Sequence, residues 1–266
     1  MNRRDKDKLA RIEELEWKNI GYRDRLQLLK DIVLRRAACK ERLKIEGFPE
    51  DLIRGRLHLG EPVVRMDKMS VSYGPVIKYA DELEQIFRRK GLVRGEPLNL
   101  QQYIHADETG RVDLCRMFDL AKALEPGKHL IIAEALKPVF ERCRELCEPF
   151  FDDSSWLQPY CYVCGREPDM ARIEGDDNRR YLYCGLCDAS WHYLHLKCPF
   201  CGNEDQKKLV SLSIEGDPVY SLDACQICNR YLKVVDARLA KTVSLLEVEA
   251  LLSIRLDVAA RKEGFS

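Results

Sequence analysis

Eight of the twelve cysteines in this 266-residue chain occur as C-x-x-C pairs: Cys161 and Cys164, Cys184 and Cys187, Cys198 and Cys201, Cys225 and Cys228. Two thiols at that spacing can shuttle electrons as dithiol and disulfide, or they can hold a metal ion. The pairs form an internal repeat, because CYVCG is followed after 19 residues by CGLC, and CPFCG after 23 residues by CQIC. In each unit Gly directly follows the first pair only, Gly165 and Gly202. This is the grammar of a metal knuckle: two thiolates on a tight turn face one ion, and Gly accepts the positive φ that such a turn often needs. A redox dithiol instead needs a thiolate activated at a helix N-terminus, whereas GNED after CPFC reads as a turn. Metal binding is therefore the favoured chemistry. The Gly asymmetry pairs the knuckles sequentially, Cys161, Cys164, Cys184 and Cys187 in one site and Cys198, Cys201, Cys225 and Cys228 in the other. An interleaved cross-brace stays open, since only ten residues separate Cys187 from Cys198. Four thiolates with no His and no open position describe a structural site, and Zn or mononuclear Fe both suit it.

The remaining candidates have blander readings. Cys39, Cys115, Cys143 and Cys147 lie in helical stretches and read as small core residues. His192 and His195 flank a knuckle but are not needed as ligands beside eight thiolates. Glu13, Glu14 and Glu16 read as a solvated helix face, and no Gly-rich phosphate loop, G-x-S-x-G or H-E-x-x-H occurs. A protein that is not an enzyme is the expectation.

Charge narrows the partners. The chain balances 44 Lys and Arg against 44 Asp and Glu, but residues 151–235 hold 9 against 13. Two four-thiolate sites around divalent ions would deepen that acidity, which favours a protein partner over DNA or RNA. The opening MNRRDKDKLARIEELEWKN lacks the apolar segment of a signal peptide, and no stretch reaches the length of a membrane span. A cytoplasmic protein with reduced cysteines is the corresponding expectation.

The elements that must position the thiols divide the chain in two. Up to about residue 150 the periodicity is helical: Tyr22, Leu26, Leu29, Val33 and Ala37 line one face of a helix over 22–45, which Gly47 and Pro49 end. Ile132, Leu136, Val139, Phe140, Cys143 and Cys147 line another over 128–149, with a kink expected at Pro138. Shorter helices are predicted at 76–90, 98–106 and 111–124, and residues 60–75 read as a long connection. After 151–160 come short segments broken by Gly, Pro, Asp and Asn, with strands at RRYLYC and YLKVV. A last helix over about 240–262, apolar at Val243, Leu246, Ala250, Leu251, Ile254 and Val258, is expected to pack back. The predicted fold is thus a mainly α N-terminal helical domain (1–155), two small metal-binding ribbons (156–194 and 195–238) and a C-terminal helix (239–266).

The knuckles with their surroundings resemble the formate dehydrogenase accessory protein family, FdhE. The resemblance rests on Cys161, Cys164, Gly165 and Pro168; on Arg180, Tyr181, Leu182, Cys184, Leu186, Cys187 and Trp191; on Lys197, Cys198, Cys201 and Gly202; on Cys225, Cys228, Tyr231, Leu232, Lys233 and Asp236; and on Leu256, Asp257, Gly264 and Phe265. It covers the metal-binding half, in order, and gives no signature in the helical half. Tyr162 replaces a Pro of the family pattern, Ser190 stands where an acidic residue often precedes the Trp, and Glu249 and Ala250 occupy a commonly acidic pair. The resemblance implies rubredoxin-like ribbons, Zn or Fe as the metals, and a cytoplasmic maturation factor that binds the catalytic subunit of formate dehydrogenase and assists its assembly or activation. Two other classes compete. A rubredoxin-like electron-transfer or thiol redox protein would need reversible Fe chemistry or a low-pKa thiol, and a nucleic-acid-binding zinc ribbon would need a basic face.

Overall fold

The computed structural model describes the chain except for residues 19, 47, 65–70, 104–123, 215 and 241–244. The helical first half consists of α1 (Arg3–Lys18), α2 (Arg23–Arg42), α3 (Glu50–His58), α4 (Gly74–Arg89) and α5 (Pro126–Cys147). Leu26, Val33 and Ala37 of α2 are buried, with Tyr22 and Leu29 half-buried against the same cluster as Leu9, Ile12 and Leu15 of α1. The spacing of these apolar residues thus does what a 3.6-residue period requires. Helix α5 continues through Pro138 and buries Ile132, Leu136, Val139, Phe140, Cys143 and Cys147. The stretch 98–106 holds a 3-10 turn at Leu100–Tyr103, and the predicted helix at 111–124, with Cys115, falls almost wholly outside the described residues.

The second half is built on one sheet. Its strands are β1 (Met170–Glu174), β2 (Arg179–Tyr183), β3 (Ser190–His192), β4 (Leu209–Ile214), β5 (Asp217–Cys225) and β6 (Arg230–Asp236), in spatial order β3-β2-β1-β6-β5-β4. Each ribbon contributes an antiparallel three-stranded meander, and the two are fused by parallel pairing of β1 with β6, Ala171 opposite Val234. The predicted strands RRYLYC and YLKVV are β2 and β6. Because side chains alternate across a sheet, one face carries Ala171, Leu182, Trp191, Leu232 and Val234. These residues belong to the same apolar cluster as Val76, Leu83, Ile132 and Phe140 of the helical half.

The opposite face is covered by the C-terminal segment, which is helical and packs back but is not one helix. It forms α6 (Leu246–Leu252) and α7 (Ile254–Lys262), separated at Ser253. The hydroxyl of Ser253, fully buried, donates to the Glu249 carbonyl oxygen at 2.7 Å. That break changes the buried face: Val248, Leu252, Leu256 and Ala260 are buried, while Ile254 and Val258, expected to pack, are exposed. Leu246 packs on Met170, Tyr183 and Val235, and Leu256 and Ala260 pack on Leu222 and Ala224.

Between helices and sheet lies a layer of buried charge. Arg36 on α2 meets Glu134 at 2.8 Å, Glu141 at 3.2 Å and Glu247 at 2.6 Å. Lys8 on α1 meets Glu247 at 2.7 Å and Asp188 at 3.1 Å, and Lys40 meets Asp5 and Glu141 at 3.1 and 2.9 Å. Burial alone would raise the Glu247 carboxyl, but Arg36, Lys8 and Lys137 around it hold it well below the usual carboxylate range. Asp188 is likewise held low against its burial by Lys8 and Arg4.

Candidate metal centres

All eight predicted ligands come together in two groups of four, with the sulfurs of each group within 4.8 Å of one another. The grouping is sequential, Cys161, Cys164, Cys184 and Cys187 in one and Cys198, Cys201, Cys225 and Cys228 in the other, so the interleaved arrangement is not the one formed. Neither His192 nor His195 is in either group. The His192 backbone N–H instead donates to Asp153 Oδ1 at 2.7 Å, and its ring meets Tyr181 edge-on at 5.9 Å.

Local turns explain how each pair is presented. The residue after the second cysteine donates its N–H to the carbonyl of the first in all four knuckles: Gly165 to Cys161, Asp188 to Cys184, Gly202 to Cys198 and Asn229 to Cys225, at 2.8–3.0 Å. All four of those residues have positive φ, +74° and +75° at the glycines and 62° and 55° at Asp188 and Asn229. The Gly asymmetry in the sequence therefore conceals a shared geometry. Asp and Asn are the residues that best tolerate the left-handed region after Gly, which is the signal the second pair of each unit carries.

The spacing of the sulfurs fits a tetrahedral ion. Cys161 and Cys187 are 3.3 Å apart, Cys164 and Cys184 3.5 Å, Cys198 and Cys228 3.8 Å, Cys201 and Cys225 3.7 Å. Metal–sulfur bonds of ~2.3 Å in a tetrahedron place sulfurs ~3.8 Å apart, far beyond the ~2.05 Å of a disulfide. Protonation chemistry agrees. Burial pushes the Cys161 and Cys187 thiols well up, while hydrogen bonds from Cys161, Cys164 and Cys187 pull Cys184 well down. A divalent ion between the four sulfurs would stabilise them as thiolates. In the second group burial lifts Cys198 to about 12; at Cys225 burial acts upward too, but N–H groups of Cys228 and Ile227 and the Cys201 and Cys198 thiols bring it down to about 7. The donor sets fit Zn or mononuclear Fe equally.

The surroundings of the two groups differ. In the first, all four cysteines are buried. The connection at 60–75 includes a strap the sequence did not disclose: the N–H groups of Val63 and Val64 donate to the carbonyls of Tyr162 and Val163 inside the CYVC knuckle, at 2.9 and 2.8 Å. Phe151 stacks on Tyr162 at 3.7 Å, and the Trp156 ring lies edge-on 6.3 Å from it. In the second group Cys201 is exposed and Cys228 partly so. Beside it a cavity of about 130 Å³ is lined by Cys198, Cys225, Leu196, Phe200 and Arg180 among others. Arg180 is buried and donates to the Leu194 and Lys197 carbonyls, pinning the link between the ribbons. Cys39, Cys143 and Cys147 lie buried in the apolar core, as expected, with burial lifting Cys39 and Cys147 to about 12.

Comparison with known proteins agrees with the motifs. Residues 160–195 match the family model described as FdhE, central domain. The chain is 26% identical over 222 residues to an FdhE homolog of Aquifex aeolicus, an alignment covering 80% of this chain and 74% of the relative. It is 31% identical over 187 residues to an FdhE homolog of Stutzerimonas stutzeri, covering 64% of this chain and 59% of that one. With the FdhE protein of Salmonella paratyphi A, 33% identity extends over 110 residues and only 35% of the relative. The fold matches the crystal structure of the FdhE protein from Pseudomonas aeruginosa, with a TM-score of 0.66, 20% identity, and coverage of 99% of this chain and 92% of that one.

Proposed function

We propose that this chain belongs to the FdhE family it resembles and that it is a non-catalytic accessory protein that binds the catalytic subunit of formate dehydrogenase in the cytoplasm and assists its assembly or activation. In this reading Cys161, Cys164, Cys184 and Cys187 hold one metal ion and Cys198, Cys201, Cys225 and Cys228 a second, either Zn or Fe. The ions organise the two ribbons, and the helical body (1–155) and closing segment (239–266) carry them. The observation that carries the reading is the exposed edge of the second four-sulfur group. Cys201 reaches the surface there, and Leu194, Leu196 and Ile227, on the ribbon link and the CQIC knuckle, are exposed. Apolar residues exposed beside an acidic module favour a protein partner over a polyanion.

Co-purification tests it. The full chain, loaded with metal and tagged, should retain the formate dehydrogenase catalytic subunit co-expressed with it, and Leu196→Asp with Ile227→Asp should lower that yield. Failure of the unmodified, metal-loaded chain to retain the subunit in any salt concentration would overturn the reading. Among the described residues no helix is long and apolar enough to cross a membrane.

A further inference from the structure

The two four-sulfur groups share one turn geometry but differ in access. We propose that the second one is a metal-exchange site, which yields or accepts a divalent cation by ligand exchange with an incoming thiolate at its Cys201 edge, while the first retains its ion. The proposal rests on the reading that both groups bind metal.

Among the described residues the first site is closed around its sulfurs, Cys164 being the most accessible at 9%. Its four sulfurs are buried, with Cys161, Cys184 and Cys187 at 0% exposure. The Val63 and Val64 strap closes the CYVC knuckle, and Pro62 lies so near that a Cβ on Gly165 would come within 2.9 Å of it. The CGLC knuckle is held from outside by Arg4, which donates to the Asp188 carbonyl at 2.8 Å, and by Lys8 on the Asp188 carboxylate. Reaching any of these sulfurs requires the helical half to separate from the ribbon.

The second site is open on two sides. Cys201 is exposed, Cys228 is partly exposed, and a Cβ built on Gly202 would meet nothing within 4 Å. Ile227, between the two cysteines of the other knuckle, is 59% exposed. Behind Cys198 and Cys225 lies the cavity of about 130 Å³, so the sulfurs have room to move as a ligand enters. Exchange would then need no unfolding: Cys201, the exposed ligand, is the one an incoming thiolate would replace at the ion, its own sulfur leaving as thiolate to take a proton from solvent, with no change in the oxidation state of the metal. A partner protein with an exposed cysteine pair has the chemistry to receive or deliver the ion.

The test uses the full chain loaded to two Zn and challenged with the chromophoric chelator 4-(2-pyridylazo)resorcinol. One equivalent should leave about tenfold or more faster than the other, because the second exit waits on local unfolding. The fast rate should also rise in proportion to chelator concentration, whereas the slow rate should be independent of it. Brief iodoacetamide treatment of the one-Zn species should modify Cys198, Cys201, Cys225 and Cys228 and spare Cys161, Cys164, Cys184 and Cys187. Cys201→Ser should remove or further speed the fast equivalent without touching the slow one. Two equivalents leaving at one rate, or alkylation of the first group before the second, would overturn the proposal, and neither readout depends on a variant. A chain that takes up no ion would overturn the metal reading along with it.

Discussion

The two ribbons repeat one local design on opposite terms. Each is a pair of knuckles around four sulfurs and a three-stranded meander, yet the cysteines of the first are part of the main apolar cluster with α4 and α5. The strands of the second put Leu222 and Ala224 into a small cluster under α7. Sulfur spacing fixes how an ion would be held, but packing fixes how much of the molecule depends on it. Structural zinc sites supply ~10–16 kcal/mol in zinc-finger peptides at neutral pH, as much as the whole stability of an ordinary domain. Cys184→Ser should therefore lose one metal ion and most of the cooperative unfolding transition of the helical half. Cys198→Ser should lose the other ion while the helical circular dichroism and its melting survive. Hydrogen exchange should show protection lost in α5 for the first variant and only in β4 and β5 for the second. Equal collapse of both would mean that the sheet, fused through β1 and β6, unfolds as one unit.

Electrostatics separates the ribbons in the same way. The first is tied to α1, α2, α5 and α6 by the buried network of Arg36, Lys8, Glu141, Glu247 and Asp188, whereas the second is tied to α7 by Lys233 with Asp257 at 2.8 Å and carries exposed pairs such as Lys197 with Glu204 and, across to the first ribbon, Arg230 with Glu167. Removing one partner of a buried pair strands the other's charge, which costs ~3–5 kcal/mol, while exposed pairs contribute ~0–1 kcal/mol. Arg36→Met should lower the urea midpoint by the larger amount, and Glu167→Gln should leave it nearly unchanged.

Acid should weaken the same junction. Glu247 and Asp188 are held below their unfolded values of ~4.3 and ~3.9, so their contribution is present above that range and is lost as pH falls through it toward the folded values. Thiolate protonation and metal release also act in acid, so the informative quantity is a difference. Glu247→Gln removes one of these linkages, and its melting temperature should fall less steeply than that of the parent chain between about pH 5 and 3. Parallel pH profiles would show that Glu247 gains no net stabilisation from its cations.

What the sequence could disclose follows from the range of each interaction. The thiol grammar and its sequential pairing are short-range and were legible, as were β2 and β6 from their composition. The fusion of the ribbons was not, because it depends on Ala171 lying beside Val234, more than sixty residues away, in parallel. Nothing in the sequence marks Lys8, Arg36, Lys40 and Glu247 as buried, since a burial pattern drawn from apolar residues cannot see a layer of paired charges. Ser253 is an ordinary residue within a helical period, and nothing in that pattern marks it as the break between α6 and α7. Val63 and Val64 read as loop because their partners are carbonyls within a knuckle, which no side-chain pattern encodes.

The smallest change that still separates the ribbons is a single methyl group. Gly165 and Gly202 occupy equivalent positions with φ of +74° and +75°, so an alanine at either incurs the same left-handed penalty of about 1–2 kcal/mol. Beyond that the sites diverge, since the Gly165 methyl would lie 2.9 Å from Pro62 on the strap, while the Gly202 methyl would enter open space. Gly165→Ala should thus destabilise the chain by a further ~1–3 kcal/mol, the usual cost of overpacking a tight contact. It should also speed chelator access to the slow metal ion, because the strap has to move away from CYVC. Gly202→Ala should pay only the backbone term, read as a small drop in melting temperature. If the two variants melt together, the strap yields freely, and the closure of the first site owes more to Asp188 and its cations than to the connection that crosses it.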